Sequence, residues 1–429
     1  MNRAVITGVG VVSPNATGWG AFRRALAAGQ SGIRRIRLFD PSPLKTQIAG
    51  QILDLDLKRF LPDSDRDLRH VSRAVPLSIA ASTEALTDAG LLKLGDGRAT
   101  ARMGMEESRR FGVCIGSGGG AAEFSERQYA IFFGRAGGHA DADRLSIYNI
   151  PSSTTGNLSS ELSIYFGLHG LSHVVSDGCT SSSDAIGYAL EHIRRGRLDR
   201  VLTGGVDATV TPGIVAGFDV MRVLASRWND EPEKASRPFD ASRDGFVLSE
   251  GSWMFVLEKE DLARARGATI YAEIRGTGAT CESYHRVKLE NGNESARAMR
   301  LALEDAGLAA DEIGHVQMHG TSTVMNDVIE TAAVKEAFGP SSSRLACSSV
   351  KSMIGHPQGA SGAAGLAAAL VPILDGVAPP TINLAAPGDG CDLDYVPGRA
   401  RAISCDACLI NTLAFGSKNA ALVVSRYVA

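Results

Sequence analysis

A chain of 429 residues that is 44% hydrophobic and 21% charged can bury a sizeable core and is long enough for two or three domain-sized units. A formal net charge of -3, with only short Lys/Arg clusters, excludes a polyelectrolyte surface for nucleic acid. The longest small-apolar run, near Ala363 to Leu374, contains Pro372 and falls short of the roughly 20 residues a membrane-spanning helix needs, so a buried helix is expected there.

The chain opens on the strand-like Arg3-Ala-Val-Ile-Thr-Gly-Val with no charged and apolar leader before it, and its seven cysteines are an odd number scattered through the sequence. Both features predict reduced thiols in a cytoplasmic protein. Short apolar runs ending in glycine, such as Gly112-Val-Cys-Ile-Gly and Arg200-Val-Leu-Thr-Gly-Gly-Val, read as buried strands, and Pro76 to Ala89 reads as a helix between them. Tyr271-Ala-Glu-Ile-Arg-Gly-Thr-Gly restarts this alternation, which runs on to Ala421-Leu-Val-Val-Ser. The pattern predicts an α/β protein of two similar halves, 1–265 and 266–429, although no literal repeat is visible in the residues.

Three segments carry chemistry. Leu171-Ser-His-Val-Val-Ser-Asp-Gly reads as a strand, and the residues from Thr180 read as a helix with Ile186, Leu190 and Ile193 on one face and Ser181/Asp184 at capping-box spacing. Cys179 falls on the turn between them, where the helix dipole and free N–H groups would lower a thiol pKa from about 8.5 toward neutrality. The plainer reading is a buried, inert cysteine. His315-Val-Gln-Met-His319-Gly-Thr-Ser-Thr places His319 at a strand end ahead of a helix from Asn326 onward, where catalytic groups gather but single histidines are also structural; His315 suits the structural role. In Ser348-Ser-Val-Lys351-Ser-Met-Ile-Gly-His356-Pro-Gln-Gly, Lys351 and His356 share a loop entering the alanine-rich helix that begins near Gly359. Taken singly, Lys351 reads as readily as a solvated charge, and His356 as readily as a cap, as either does as a functional group. Cys405-x-x-Cys408 has no second Cys or His pair nearby, which argues against zinc or redox chemistry.

Together these segments resemble the β-ketoacyl synthases of the thiolase-like fold, especially the β-ketoacyl-acyl-carrier-protein synthase II type. The resemblance also covers Ile6-Thr-Gly-Val-Gly-Val-Val-Ser-Pro, Ile115-Gly-Ser-Gly, Asp177-Gly-Cys-Thr-Ser, Gly204-Gly-Val-Asp-Ala, Ala235-Ser-Arg-Pro-Phe-Asp, Asn326-Asp with Glu330, Pro379-Pro-Thr-Ile-Asn-Leu, Cys391-Asp-Leu-Asp-Tyr-Val-Pro and Phe415-Gly. It implies a layered αβαβα core, with the nucleophile in the first half and both catalytic histidines in the second. It implies a 3-oxoacyl-carrier-protein synthase, an acyltransferase that extends an acyl primer on Cys179 by decarboxylative condensation with a malonyl carrier thioester. His319 and His356 would be its oxyanion donors, and Lys351 would polarise the pocket around His356. The Cys179 and Phe415 N–H groups would hold the acyl-transfer oxyanion, with Gly416 in the gate.

The same resemblance implies that Thr321 and Thr323 bind the pantetheine arm, that Gly119 stands where relatives hold a bulky aliphatic and so enlarges the acyl pocket, and that Arg69 and Arg227 meet an acidic acyl carrier protein. No metal and no cofactor beyond the carrier's phosphopantetheine is implied. The partners would be the carrier protein and either a second copy of the chain or a chain-length-factor-like subunit, with no nucleic acid or membrane. The sequence departs from the family at Ser417-Lys418 in the gating loop, at Arg286 to Asn293 and at Val324-Met325 beside the entrance. Cys179-Thr-Ser-Ser-Ser-Asp184 is similar to the active subunits of discrete type II polyketide systems, which points to secondary metabolism over housekeeping fatty-acid synthesis. The rival readings are a non-catalytic chain-length factor, a thiolase acting on coenzyme A esters, and a Cys/His hydrolase.

Overall fold

The computed structural model describes residues 1–61, 68–94, 99–101, 103–134 and 142–429. An 11-stranded sheet runs through it. Its main strands are β1 (Ala4–Ser13), β2 (Phe111–Gly116), β3 (Ser172–Val175), β4 (Arg200–Asp207) and β5 (Gly251–Lys259), followed by β6 (Ala272–Cys281), β7 (His315–Gln317), β8 (Ala346–Ser348), β9 (Ala407–Ala414) and β10 (Lys418–Ser425). Their spatial order is β8-β7-β9-β10-β6-β1-β5-β4-β2-β3, with the short Ala16–Thr17 strand pairing with β1.

Read outward from the centre, β1-β5-β4-β2-β3 and β6-β10-β9-β7-β8 have the same order and the same pattern of directions. In both, the first pairings are antiparallel and the outer ones parallel. The repeat that no residue pattern displayed is present in the topology. The two sets meet where Val5 and Ile6 of β1 face Glu273 and Ala272 of β6.

Five helices complete the layers: α1 (Ala74–Asp88), α2 (Ser181–Arg194), α3 (Asn293–Ala306), α4 (Val324–Phe338) and α5 (Ser361–Asp375). Helices α2 and α5 lie side by side in the middle, and their apolar residues share one core with β1, β5 and β9. Helix α1 covers one set of strands and α3 the other. The result is the αβαβα stack expected. The alanine-rich run is α5, a buried layer helix, and among the described residues no helix is long and apolar enough to cross a membrane.

Glycines set the spacing of the outer layers. A Cβ on Gly10 would lie 1.8 Å from the Ala81 carbonyl oxygen of α1, and one on Gly278 would lie 2.1 Å from the Ala298 carbonyl of α3. Each half therefore admits its outer helix through a glycine in its first strand.

The expected capping box at Ser181 is absent. A short 3-10 turn, Gly178–Thr180, runs straight into α2, so Ser181 is already helical; its hydroxyl donates to the Gly178 carbonyl and accepts from the Asp177 N–H.

Gly10→Ala forces helix and strand apart and is expected to destabilise the protein by about 1–3 kcal/mol. Gly20→Ala, at an exposed position in the Trp19–Ala27 helix, should stabilise it by about 0.5–1 kcal/mol. Urea denaturation of the two variants beside the parent checks both signs.

Candidate active site

The first turns of α2 and α5 converge. The Ser182 hydroxyl accepts from the Ala363 N–H at 2.9 Å, and Gly362 fits only because nothing larger could sit against Ser183. Cys179 stands in the turn before α2, and His356 stands before the 3-10 turn that leads into α5. His356 is pinned by its own backbone, which donates to the Val247 carbonyl and accepts from the Ser249 N–H. His319 follows β7 directly, as a strand-end residue should.

These elements bring Cys179, His319 and His356 together in a buried cluster. Cys179 Sγ lies 3.2 Å from His356 Nε2, and the two imidazoles stand at 89° with centroids 5.3 Å apart. They face a cavity of about 200 Å³ whose wall is otherwise largely apolar, with Val223, Phe246, Leu289, Met325, Leu413 and Phe415 among its lining residues. The hydroxyls of Thr321 and Thr323 also line it, 3.0 Å from each other.

Lys351 is buried behind His319. Its ammonium donates to the His319 carbonyl at 2.7 Å and sits 3.4 Å from His319 Nδ1. The expectation that it serves His356 is corrected: the Nδ1 of His356 is met by the Ser361 hydroxyl at 3.1 Å, because Lys351 heads a short helix that turns its side chain toward the β7 end. Burial pulls the Lys351 ammonium below its ordinary value, and the nearby Glu330 carboxylate opposes this. Burial, followed by the Lys351 charge, holds both imidazoles well below the usual histidine range, so both are neutral at pH 7. His315 is buried with its Nε2 against the Ser348 hydroxyl, the structural role expected of it.

The thiol does not behave as its helix-terminal position suggested. Burial pushes Cys179 up to about 12; Lys351 and the N–H groups of Phe415 and Cys179 pull it back, and the Asp207 carboxylate adds to the rise. Removal of the thiolate from water outweighs the favourable dipole here. Even so, those two N–H groups favour the thiolate.

Two carboxylates that the motif reading quoted without assigning a role hold the site in place. Glu330 accepts from the N–H groups of His319 at 2.6 Å and Gly320 at 2.7 Å, and from the Asn411 amide at 2.8 Å. Asp207 accepts from the N–H groups of Gly118, Gly119 and Gly359 and from the Ser117 hydroxyl, tying the β2 loop to the α5 loop. The signal for both was an acidic residue inside an apolar, strand-like or helical run.

The remaining residues are more dispersed. Gly119 does not line the cavity; a Cβ there would meet the Thr209 methyl at 2.3 Å, so Thr209 fills the space a larger side chain would take. Arg69 and Arg227 are exposed and lie off the cavity, and Arg227 is engaged with Asp244 at 3.4 Å. Lys288, in a segment noted only as a departure, is an exposed cation among the residues lining the cavity. Phe415 is 40% exposed at the cavity edge. Gly416 donates its N–H to the Arg286 carbonyl, the Ser417 hydroxyl bridges the backbone of His285, and Lys418 pairs with Asp177, so the departures fasten the loop between β9 and β10 to its surroundings.

Known proteins agree with this geometry. Two family models match: Beta-ketoacyl synthase, N-terminal domain, over residues 1–263, and Beta-ketoacyl synthase, C-terminal domain, over residues 271–385. The tetracenomycin polyketide synthase ketoacyl synthase alpha subunit of Streptomyces glaucescens is 41% identical, over 99% of this chain and 97% of its own. The granaticin polyketide putative beta-ketoacyl synthase 1 of Streptomyces violaceoruber is 39% identical over 99% and 98%. The 3-oxoacyl-(acyl-carrier-protein) synthase 2 of Coxiella burnetii is 38% identical over the same shares.

Among solved structures, a type II PKS acyl-carrier protein in complex with its ketosynthase bound to the hexaketide superposes with a TM-score of 0.89 at 28% identity, covering both chains fully. A beta-ketoacyl synthase from Burkholderia phymatum superposes at 0.87 and 35%, and the ishigamide ketosynthase/chain length factor at 0.87 and 32%, each likewise over 100% of both chains. Layers, strand order and site define a thiolase-like α/β protein. The chain belongs to the β-ketoacyl synthase family.

Alkylation of Cys179 by iodoacetamide in the folded protein is expected to rise about tenfold per pH unit between about pH 6 and pH 9 without levelling off. Mass spectrometry of the modified peptide measures it. A plateau near pH 7 would restore the lowered thiol pKa.

Proposed function

We propose that this protein is a β-ketoacyl-acyl-carrier-protein synthase of a discrete fatty-acid or polyketide pathway, with Cys179 as nucleophile. The observation that carries this reading is the contact between Cys179 Sγ and His356 Nε2 at 3.2 Å, with His319 standing perpendicular beside it in a largely apolar cavity. In the first step the Cys179 sulfur attacks a carrier-bound thioester. The carbonyl–pantetheine sulfur bond breaks, the pantetheine leaves as a thiol with the Cys179 proton, and the acyl group stays on Cys179. The N–H groups of Cys179 and Phe415, which already favour negative charge on the sulfur, receive the oxyanion of that step.

In the second step a malonyl thioester loses carbon dioxide, and the electron pair passes into an enolate. Lys351 donates to Nδ1 of His319 and Ser361 to Nδ1 of His356, which leaves an N–H on each Nε2 to hold the enolate oxygen. The enolate carbon attacks the acyl carbonyl, the carbon–sulfur bond to Cys179 breaks, and the thiolate takes up a proton. Neutral imidazoles suit this role because their N–H groups hydrogen-bond the enolate oxygen without protonating the enolate, as an imidazolium would. A divalent metal on Cys179, His319 and His356, whose ligand atoms lie within 4.8 Å of one another, is disfavoured by the Lys351 charge beside them, so the chemistry is assigned to the side chains alone.

Thr321 and Thr323 are positioned for the amides of a pantetheine arm, and the exposed Lys288 adds a cation for an acidic carrier protein. The assembly we propose is a dimer through the edge strand β3 and the helices beside it, where Tyr129, Phe133, Ile150, Ile164 and Tyr188 are exposed. Whether that face meets a second copy or a chain-length-factor-like subunit is read from the mass of the protein alone in light scattering: a homodimer of 45.0 kDa chains, or a monomer that dimerises only with its partner. All seven cysteines are free, which suits a reducing cytoplasm.

Incubation with an acyl-carrier thioester should give an acyl adduct by intact mass in the parent and none in Cys179→Ala. His319→Ala and His356→Ala should each slow malonyl decarboxylation by about a hundredfold or more, as loss of an oxyanion donor does. Folded parent protein that forms no adduct with any carrier thioester would overturn the nucleophile assignment.

A further inference from the structure

One residue of the cavity has no role in the chemistry above. Gln358 is 9% exposed, lines the cavity, and places its Oε1 3.9 Å from Cys179 Sγ. Its amide nitrogen is the one buried side-chain polar atom of the cavity wall without a hydrogen-bond partner among the described residues. Two other polar pairs of the wall are satisfied within it or behind it, Thr321 with Thr323 and the Asn326 amide with Asp327. Native structures rarely leave a buried amide nitrogen orphaned, and one that stands beside a nucleophile calls for a functional explanation.

The backbone holds Gln358 where it is. Its φ of 45° is left-handed, an uncommon conformation for a side chain of this size. The next residue, Gly359, is clamped by its N–H to Asp207 at 2.6 Å, and Pro357 precedes it. Strain of this kind persists only where the surroundings enforce it, and here it sets an amide beside the sulfur.

Acylation changes what that amide meets. In the free protein the Cys179 thiol is the donor facing Oε1. Once the sulfur carries an acyl group its hydrogen is gone, and both ends of the amide lack a partner. The terminal torsion of glutamine is soft, so the amide can turn its N–H toward the chain that now begins at Sγ. A saturated chain offers nothing to it. An oxygen on the third carbon, close to the sulfur, restores the missing bond.

Building on the reading of Cys179 as nucleophile, we propose that Gln358 is a specificity-determining residue that favours 3-oxoacyl groups over saturated acyl groups of the same length. The protein would then accept chains whose β-carbonyl has not been reduced.

The test uses the full-length protein and two simple pantetheine thioesters, 3-oxohexanoyl and hexanoyl. The rate of adduct formation at Cys179 is followed by intact mass, and each rate is divided by that of the same thioester with a free cysteine thiol, which removes intrinsic reactivity. We expect the parent to favour the 3-oxo group by about tenfold, the scale of one buried hydrogen bond, and Gln358→Met to bring the ratio to about one. Gln358→Leu serves as a second apolar variant should the first fold poorly. A parent with no corrected preference, or a preference that survives in a folded apolar variant, overturns the proposal. No adduct from either thioester in the parent would instead remove the nucleophile reading beneath it.

Discussion

Three carboxylates out of contact with water hold the loops of this site. Asp207, Asp327 and Glu330 have no exposed surface, and an unpaired carboxylate in such a place would cost several kcal/mol. Each is instead surrounded by donors, most of them backbone N–H groups from loops at strand ends. Asp327 takes the N–H groups of Phe239 and Thr321, Glu330 those of His319 and Gly320, and Asp207 those of Gly118, Gly119 and Gly359. Loop backbone otherwise has to reach water for its hydrogen bonds. Supplying acceptors from within lets these loops be buried and rigid, which is what keeps two imidazoles and a thiol at fixed separations.

The second organising fact is the pairing of two central helices. Because α2 and α5 occupy equivalent places in the two halves, their first turns arrive at the same spot, one bringing Cys179 and the other His356. Their dipoles add a positive field there, and Lys351 adds a charge. That field suits a site that must hold negative oxygen twice, first in acyl transfer and then in the enolate. The same burial that strengthens it raises the thiol pKa, so the field has its greatest effect on charge that develops during reaction.

Much of this was legible in the residues. The glycine-ended runs marked the strands, and Cys179 and His319 each sat at a strand-to-helix turn where the structure also puts them, whereas a short helix, Lys351–Ile354, separates His356 from the strand expected to lead to it. The αβαβα stack followed from the family resemblance. What stayed hidden depends on direction in space. Sequence spacing puts Lys351 five residues from His356, yet the short helix at Lys351–Ile354 aims it at His319. A helix-terminal cysteine suggested a lowered pKa, but burial, which spacing does not report, dominates. Gly119 looked like a vacancy because a pattern cannot show that Thr209 occupies it. Gln358 drew no attention because an unpartnered amide is recognised only when its neighbours are known.

The central place of β1 has a consequence for how the chain is made. Every residue of this strand is buried, and its partners are β5 and β6, the nearer of which begins roughly 240 residues later. At translation rates on the order of 5–20 residues per second, β1 waits on the order of ten to fifty seconds for either of these neighbours. During that interval Ala4-Val-Ile-Thr-Gly-Val-Gly-Val-Val is an apolar, β-prone segment with at most the short Ala16–Thr17 strand paired to its end, the kind of segment that chaperones shield. The seam on which the two halves join is thus also the stretch most exposed to misassembly during synthesis, and Gly8 and Gly10, which make room for α1, also lower its tendency to pair with the wrong strand.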